Sequence, residues 1–168
     1  MRFFLLFCAI SAIALTTPAS AATAPRVSIT SLKELSVPDA PFDTAANADA
    51  DVDAAVARAR KSGKRVMIDL GGNWCADCRI LSGLMALPEM DAFLKAHYEI
   101  VDVDVGRFNR NLQIPARYGI TTRLEGVPAI LVATPDGKLL NPGRVSAIQD
   151  ARHMTPQALA DWLAQWAK

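Results

Sequence analysis

Cys75 and Cys78, separated by Ala76 and Asp77, are the residues whose type and spacing could do covalent chemistry. Two cysteines three apart belong to redox or metal chemistry. A free thiol with a pKa of about 8.5 holds little reactive thiolate at neutral pH, so a redox cysteine needs local help. A helix can supply it. Ile80, Leu81, Leu84 and Met85 recur at helical spacing up to Pro88, which puts the cysteines at a helix start. There the unpaired N–H groups and the positive dipole end stabilise a negative sulfur. A second cysteine one turn on can attack a mixed disulfide formed at the first. The spacing therefore predicts Cys75 as nucleophile and Cys78 as resolving thiol. Zinc would need further ligands, and beyond the leader only His97 and His153 are available, without knuckle spacing. A c-type haem is excluded because Arg79, not His, follows Cys78. Neither metal nor cofactor is expected.

Three neighbours could modify this chemistry. Asp69 is the polar exception in the apolar run 66–70; it is either a surface carboxylate at a strand end or a buried one, whose pKa would rise. Trp74 is either core or a shield over the sulfurs. Asp77 shares the first helical turn with Cys75, where it suits the dipole but repels the thiolate. That repulsion destabilises the reduced form and predicts a reducing disulfide, with Ala76 and Asp77 as the tuning positions.

The elements that must position these residues follow from hydrophobic period and punctuation. Asp49, Asp51 and Asp53 precede Val56, with Arg58, Arg60 and Lys61 before Gly63; acids first, bases last and a glycine stop describe a helix. The run 66–70 is a central strand. A short helical stretch starts at Glu89. Residues 99–105, with Val101, Val103 and Val105 on one face, are a second strand. A short helix is expected over 112–118, within an Arg-rich segment (Arg107, Arg110, Arg117, Arg123) that reads as a solvated face. A third strand covers 129–133, and Pro135-Asp136-Gly137 turns into a partner strand at 138–140. The last helix opens with Thr155 as cap and Pro156, placing Leu159, Trp162, Leu163 and Trp166 on one stripe. A βαβ unit followed by ββα makes a mixed α/β sheet with helices on both faces.

Before this pattern come two other segments. Arg2, the apolar run 3–15 and the small residues Ala19-Ser20-Ala21 read as a secretory signal over 1–21, removed with Cys8; thirteen apolar residues fall short of the about 20 that span a bilayer. Residues 22–46, rich in Ala, Ser, Thr and Pro, are expected to form a loosely ordered leader to a domain over 47–168. Of 18 basic and 17 acidic residues, Arg2 alone lies in the signal, so the exported chain is formally neutral. That balance argues against a nucleic-acid partner.

The run Asp69-Leu70-Gly71-Gly72-Asn73-Trp74-Cys75-Ala76-Asp77-Cys78 at a strand-to-helix junction, with Tyr118-Gly119-Ile120 and Gly126-Val127-Pro128 later, resembles the thioredoxin superfamily. The likeness covers roughly residues 49–167. It is strongest to exported bacterial thioredoxin-like proteins, and the chain is also similar to the periplasmic C-terminal domain of transmembrane thiol reductases. The resemblance implies a thioredoxin-like three-layer sandwich and a monomeric periplasmic enzyme of thiol-disulfide exchange acting on protein or small-molecule disulfides. It further implies a cis Pro128 beside the cysteines, a Val127 backbone that pairs with a substrate strand, a substrate-facing Trp74, and Asp69 as proton carrier to Cys78. Departures are Ala76 and Asp77 between the cysteines, the insertion 121–125, and Ile100, which aligns with the family's lysine beside the buried Asp. With Asp77 in place, the expected potential lies nearer thioredoxin's roughly −270 mV than the roughly −120 mV of oxidising relatives. A reductase in an oxidising compartment needs a donor, for which a membrane thiol reductase is expected. An oxidant or isomerase, and a peptide-binding module without turnover, are the alternatives.

Overall fold

The computed structural model describes residues 22–168; the expected signal over 1–21 and Cys8 lie outside the described residues. Strand β1 (Arg65–Gly71) is central, and six of its seven residues are buried. It pairs in parallel with β2 (Tyr98–Asp104) on one side and antiparallel with β3 (Ala129–Ala133) on the other. A strand covered on both faces needs an apolar run rather than an alternation, as 66–70 provides. The order β2-β1-β3 is a mixed sheet.

Alternate β1 side chains enter two cores. Val66, Ile68 and Leu70 pack with Val52, Ala55 and Ala59 of helix α1 (Ala48–Ser62). Asn47 caps that helix through Oδ1, which accepts the Ala50 N–H at 3.1 Å. Gly63 ends it in the left-handed region at φ 74°, a conformation that suits glycine. Met67 points the other way, into a core shared with Leu81 and Leu84 of α2 (Ala76–Met85), Leu94 of α3 (Pro88–His97) and Leu159 and Leu163 of α5 (Pro156–Ala164). The period of two puts Asp69 on this second face, under α2. The result is the expected three-layer sandwich. Among the described residues no helix is long and apolar enough to cross a membrane.

Three local expectations change. The helix over 112–118 contracts to α4 (Gln113–Ala116). The hairpin turn forms, with Thr134 N–H donating to Lys138 O at 3.0 Å, but the partner strand shrinks to a single bridge between Ala133 and Leu139. The cause is Asn141. Its buried amide accepts the Val132 N–H at 3.0 Å and donates to Ile130 O at 2.7 Å, so a side chain satisfies the sheet edge that a strand would otherwise pair.

The third change concerns the leader. Residues 22–46 are fastened to the domain rather than loose: the Val27 N–H donates to Gln157 Oε1 at 3.1 Å, and Arg79 Nε donates to Pro38 O at 2.8 Å. Ser31 and Glu34 form a reciprocal cap around the short turn Leu32–Glu34. Phe42 is 2% exposed, and its backbone exchanges two 2.9 Å hydrogen bonds with the Asn73 amide. Its ring lies so close to Gly71 that a Cβ there would stand 2.4 Å from the ring carbon Cζ. The leader therefore braces the loop between β1 and the cysteine helix.

Candidate active site

The loop Gly72-Asn73-Trp74 carries the chain from β1 to α2, and the Cys75 N–H donates to Gly72 O at 2.9 Å. Cys75 is the N-cap of α2. Its sulfur accepts the Cys78 N–H at 3.1 Å, the place where an unpaired helix donor meets a partial negative charge. Cys75 and Cys78 are joined in a disulfide with Cα atoms 5.3 Å apart. Cys75 keeps 5% of its surface exposed and Cys78 none. The sulfur of Cys75 lies 3.4 Å from the Val127 carbonyl oxygen, and the Val127–Pro128 peptide is cis. The helix start, the cis proline and the two cysteines thus converge as the resemblance implied.

Asp69 is 1% exposed, and neither of its oxygens has a hydrogen-bond partner. Of the two positions open to it, the structure takes the buried one. Burial pushes its carboxyl well above the usual carboxylate range, and Asp102 adds to the shift. Asp102 is the β2 residue in register with Asp69. Ile100, which the resemblance aligns with the family's lysine, is in register with Met67, two residues from Asp69. Which β2 residue stands beside Asp69 is fixed by register, which the alternation in 99–105 does not determine. Asp102 opens into a cleft of about 390 Å³ that Lys64, Lys95 and Tyr98 also line. Asp102 is itself exposed, but a carboxyl on a concave wall is short of bulk water, and that partial desolvation raises its pKa too.

Asp77 does not stand free beside the thiol. It is buried, and the Arg152 backbone N–H and Nε both donate to Oδ1 at 2.9 Å, while Nε also reaches Oδ2 at 3.0 Å. A further guanidinium bond from Arg152 Nη2 completes a forked ion pair. Burial alone would raise the Asp77 pKa; the bonds and charge of Arg152 outweigh it and hold the carboxyl below its usual value. The charge expected to repel the Cys75 thiolate is therefore compensated. Ala76 beside it is exposed and brings no polar group.

Trp74 is not core. It is 44% exposed, its Nε1 donates to Gly106 O at 2.7 Å, and its ring meets Phe108 edge-on with centroids 6.1 Å apart. The Arg-rich segment divides. Arg110 pairs with Asp104 at 3.0 Å, and Arg117 bridges to Asp53 at 2.7 Å and to Asp49, so these two hold the loop after β2 and fasten α4 to α1. Arg107 and Arg123 instead lie over the rings of Trp74 and Phe108. His153 bonds Asp150 at 2.7 Å on the surface. Among the described residues no three His, Cys, Asp or Glu side chains are grouped so as to hold a metal ion. Sequence reasoning missed Asp102, Arg152 and Phe108; the first was visible as a polar residue in a strand, and the others carried no signal.

A buried disulfide-forming Cys-x-x-Cys at a helix start, facing a cis proline on a mixed three-layer sheet, defines a thioredoxin-type site. The chain belongs to the thioredoxin-like family, whose pattern matches residues 46–135. It is 35% identical over 105 residues to the thiol:disulfide interchange protein DsbD 1 of Pseudomonas aeruginosa, covering 61% of this chain and 17% of that protein. The chain thus spans about a sixth of the length of that relative. A crystal structure of a disulphide isomerase from Xylella fastidiosa superposes with a TM-score of 0.70 at 34% identity, covering 74% of this chain and 95% of that one.

Proposed function

We propose that this protein is an exported thiol-disulfide oxidoreductase that reduces protein disulfides. The observation that carries the reading is the asymmetry of the cysteine pair: Cys75 caps α2 and reaches the surface, whereas Cys78 lies behind it with no exposure. In the reduced protein the Cys75 thiolate attacks a substrate disulfide, forming a mixed disulfide and releasing one substrate thiolate. Cys78 loses its proton and attacks Cys75. The second substrate thiolate leaves and takes up a proton, two electrons have passed to the substrate, and Cys75–Cys78 is oxidised. Asp69, whose burial raises its pKa and so makes its carboxylate a stronger base than a free one, is the proposed acceptor of the Cys78 proton, which it passes on once the substrate thiolate has left. Val127, with its carbonyl 3.4 Å from the Cys75 sulfur, is the proposed pairing site for a substrate strand beside Pro128, and Trp74 the flanking wall.

Export by the segment 1–21 and residence in the periplasm accord with this chemistry, since disulfides persist there. The similarity to DsbD 1 supports a membrane thiol reductase as electron donor. Isomerisation is the second reading. Arg152 compensates Asp77, which removes part of the reason for a strongly reducing potential, and the Xylella relative carries the name of a disulphide isomerase. Equilibration of the purified protein with glutathione separates the two. A potential below about −180 mV is expected of the reductase, and a value above it overturns that assignment in favour of isomerase or oxidant. Mass analysis of a periplasmic extract, expected to find a chain beginning at Ala22, tests the export.

A further inference from the structure

Four side chains form a continuous stack beside the cysteines. The Arg107 guanidinium lies 4.9 Å from the Trp74 ring centroid, Trp74 meets Phe108 edge-on at 6.1 Å, and Arg123 lies 4.8 Å over the Phe108 ring. The stack is built rather than accidental. Trp74 is tied to Gly106 O at 2.7 Å, and Asn109 Oδ1 accepts the Arg107 N–H at 2.9 Å. Phe108 sits in the left-handed region at φ 62°, an uncommon conformation for a bulky residue that persists only where the surroundings enforce it. Here the surroundings include Asn111, whose Nδ2 donates to Asp104 O at 2.8 Å.

The charge at this rim is available. Arg110 and Arg117 are committed to carboxylates, whereas among the described residues Arg107 and Arg123 have none within ion-pair distance. Both are exposed. A guanidinium stacked on a ring has its plane fixed while its N–H edge stays free to take a carboxylate in a fork. Both arginines are tied to the neighbours of the reacting sulfur: Arg107 lies over Trp74, which adjoins Cys75 in the chain, and Arg123 lies four residues before Val127, whose carbonyl oxygen is 3.4 Å from that sulfur. On the Arg123 side a cleft of about 320 Å³ is lined by Arg123 itself and by the apolar Phe108, Leu112, Ile120 and Leu124. Glu125 is the acid nearest in sequence to Arg123, and it lines the neighbouring cleft with it.

We propose that this arginine-aromatic stack is a docking platform for a protein disulfide flanked by acidic side chains. The proposal rests on the exchange reading above and names the substrate class of that site. Exposed carboxylates near the substrate disulfide would meet Arg107 and Arg123, with an apolar residue beside the one at Arg123 entering the cleft.

The test uses the reduced protein in single turnover with three cyclic peptides that differ only in the residues flanking their disulfide: Glu, Gln or Lys. Each rate is divided by the rate with dithiothreitol, an uncharged dithiol, which removes the effect of the flanks on the disulfide itself. At low ionic strength the Glu peptide is expected to react roughly three- to tenfold faster than the Gln peptide, and the Lys peptide slower than both, as for two exposed ion pairs. The spread should shrink in half-molar salt. In the double variant Arg107→Gln/Arg123→Gln the Glu-to-Gln ratio should fall to near one, whereas Arg107→Lys/Arg123→Lys, which keeps the charge, should retain much of it. Equal normalised rates for the three peptides in the unaltered protein, or a ratio that survives the double Gln variant, would overturn the proposal. Failure to reduce any of the peptides would instead overturn the exchange reading, and the proposal with it.

Discussion

Asp69 and Asp77 are carboxylates buried within ten residues of each other, and their surroundings push them in opposite directions. Asp69 has no partner for either oxygen, so burial favours its protonated form. Its folded pKa exceeds its unfolded one. The stability it allows is therefore complete below the ordinary carboxylate range and declines as pH rises through that range towards the folded value. Asp69→Asn should remove that decline, stabilising the protein at pH 8 by roughly 1–3 kcal/mol and by little at pH 4, as urea unfolding would show. The same variant should slow resolution of the mixed disulfide and flatten its pH profile between pH 6 and 9. An unaltered profile would leave Asp69 with a structural role only. Asp77 has the reverse sign: its folded pKa is depressed by Arg152, so its contribution is present above the unfolded pKa and lost as pH falls. Arg152→Gln should cost about 1–3 kcal/mol by leaving a buried acceptor unpaired. It should also raise the Cys75 thiol pKa, read by thiolate absorbance near 240 nm, because the Asp77 charge then acts on the sulfur uncompensated.

Elements with a period were legible and elements without one were not. The acids, bases and glycine around 49–63 prescribed α1, the apolar run 66–70 prescribed a central strand, and Thr155-Pro156 marked the start of α5. The leader over 22–46 has no period because its residues do not share a face. Val27, Phe42 and Pro38 are fastened one at a time to Gln157, Asn73 and Arg79. The strand expected at 138–140 failed for a similar reason, since the Asn141 side chain imitates a backbone partner. Phe42→Ala tests the leader at this scale. Loss of a ring seated against Gly71 should cost about 3–5 kcal/mol in urea unfolding, and a cost below 1 kcal/mol would return the leader to the status of a loose tail.

At the scale of the whole molecule, the sheet carries Asp69 under α2 while the loops at its ends bring Cys75, Val127 and Trp74 together. The cysteine pair and the proline were legible because the chemistry fixes their spacing. The roles of Asp102, Arg152 and Phe108 were not, since each enters through a register, a long-range ion pair or a ring stack that only the assembled fold creates, even where, as at Asp102, the polar residue itself stood out in a strand. The central claim is that Cys75 attacks and Cys78 resolves, and it is tested most directly by trapping. Cys78→Ala and Cys75→Ala would each be incubated with a protein disulfide, and the adducts separated by non-reducing electrophoresis and mapped by mass. Accumulation of mixed disulfides through Cys75 in the first variant and none in the second is the predicted result; adducts through Cys78 in Cys75→Ala, with none in Cys78→Ala, would contradict it.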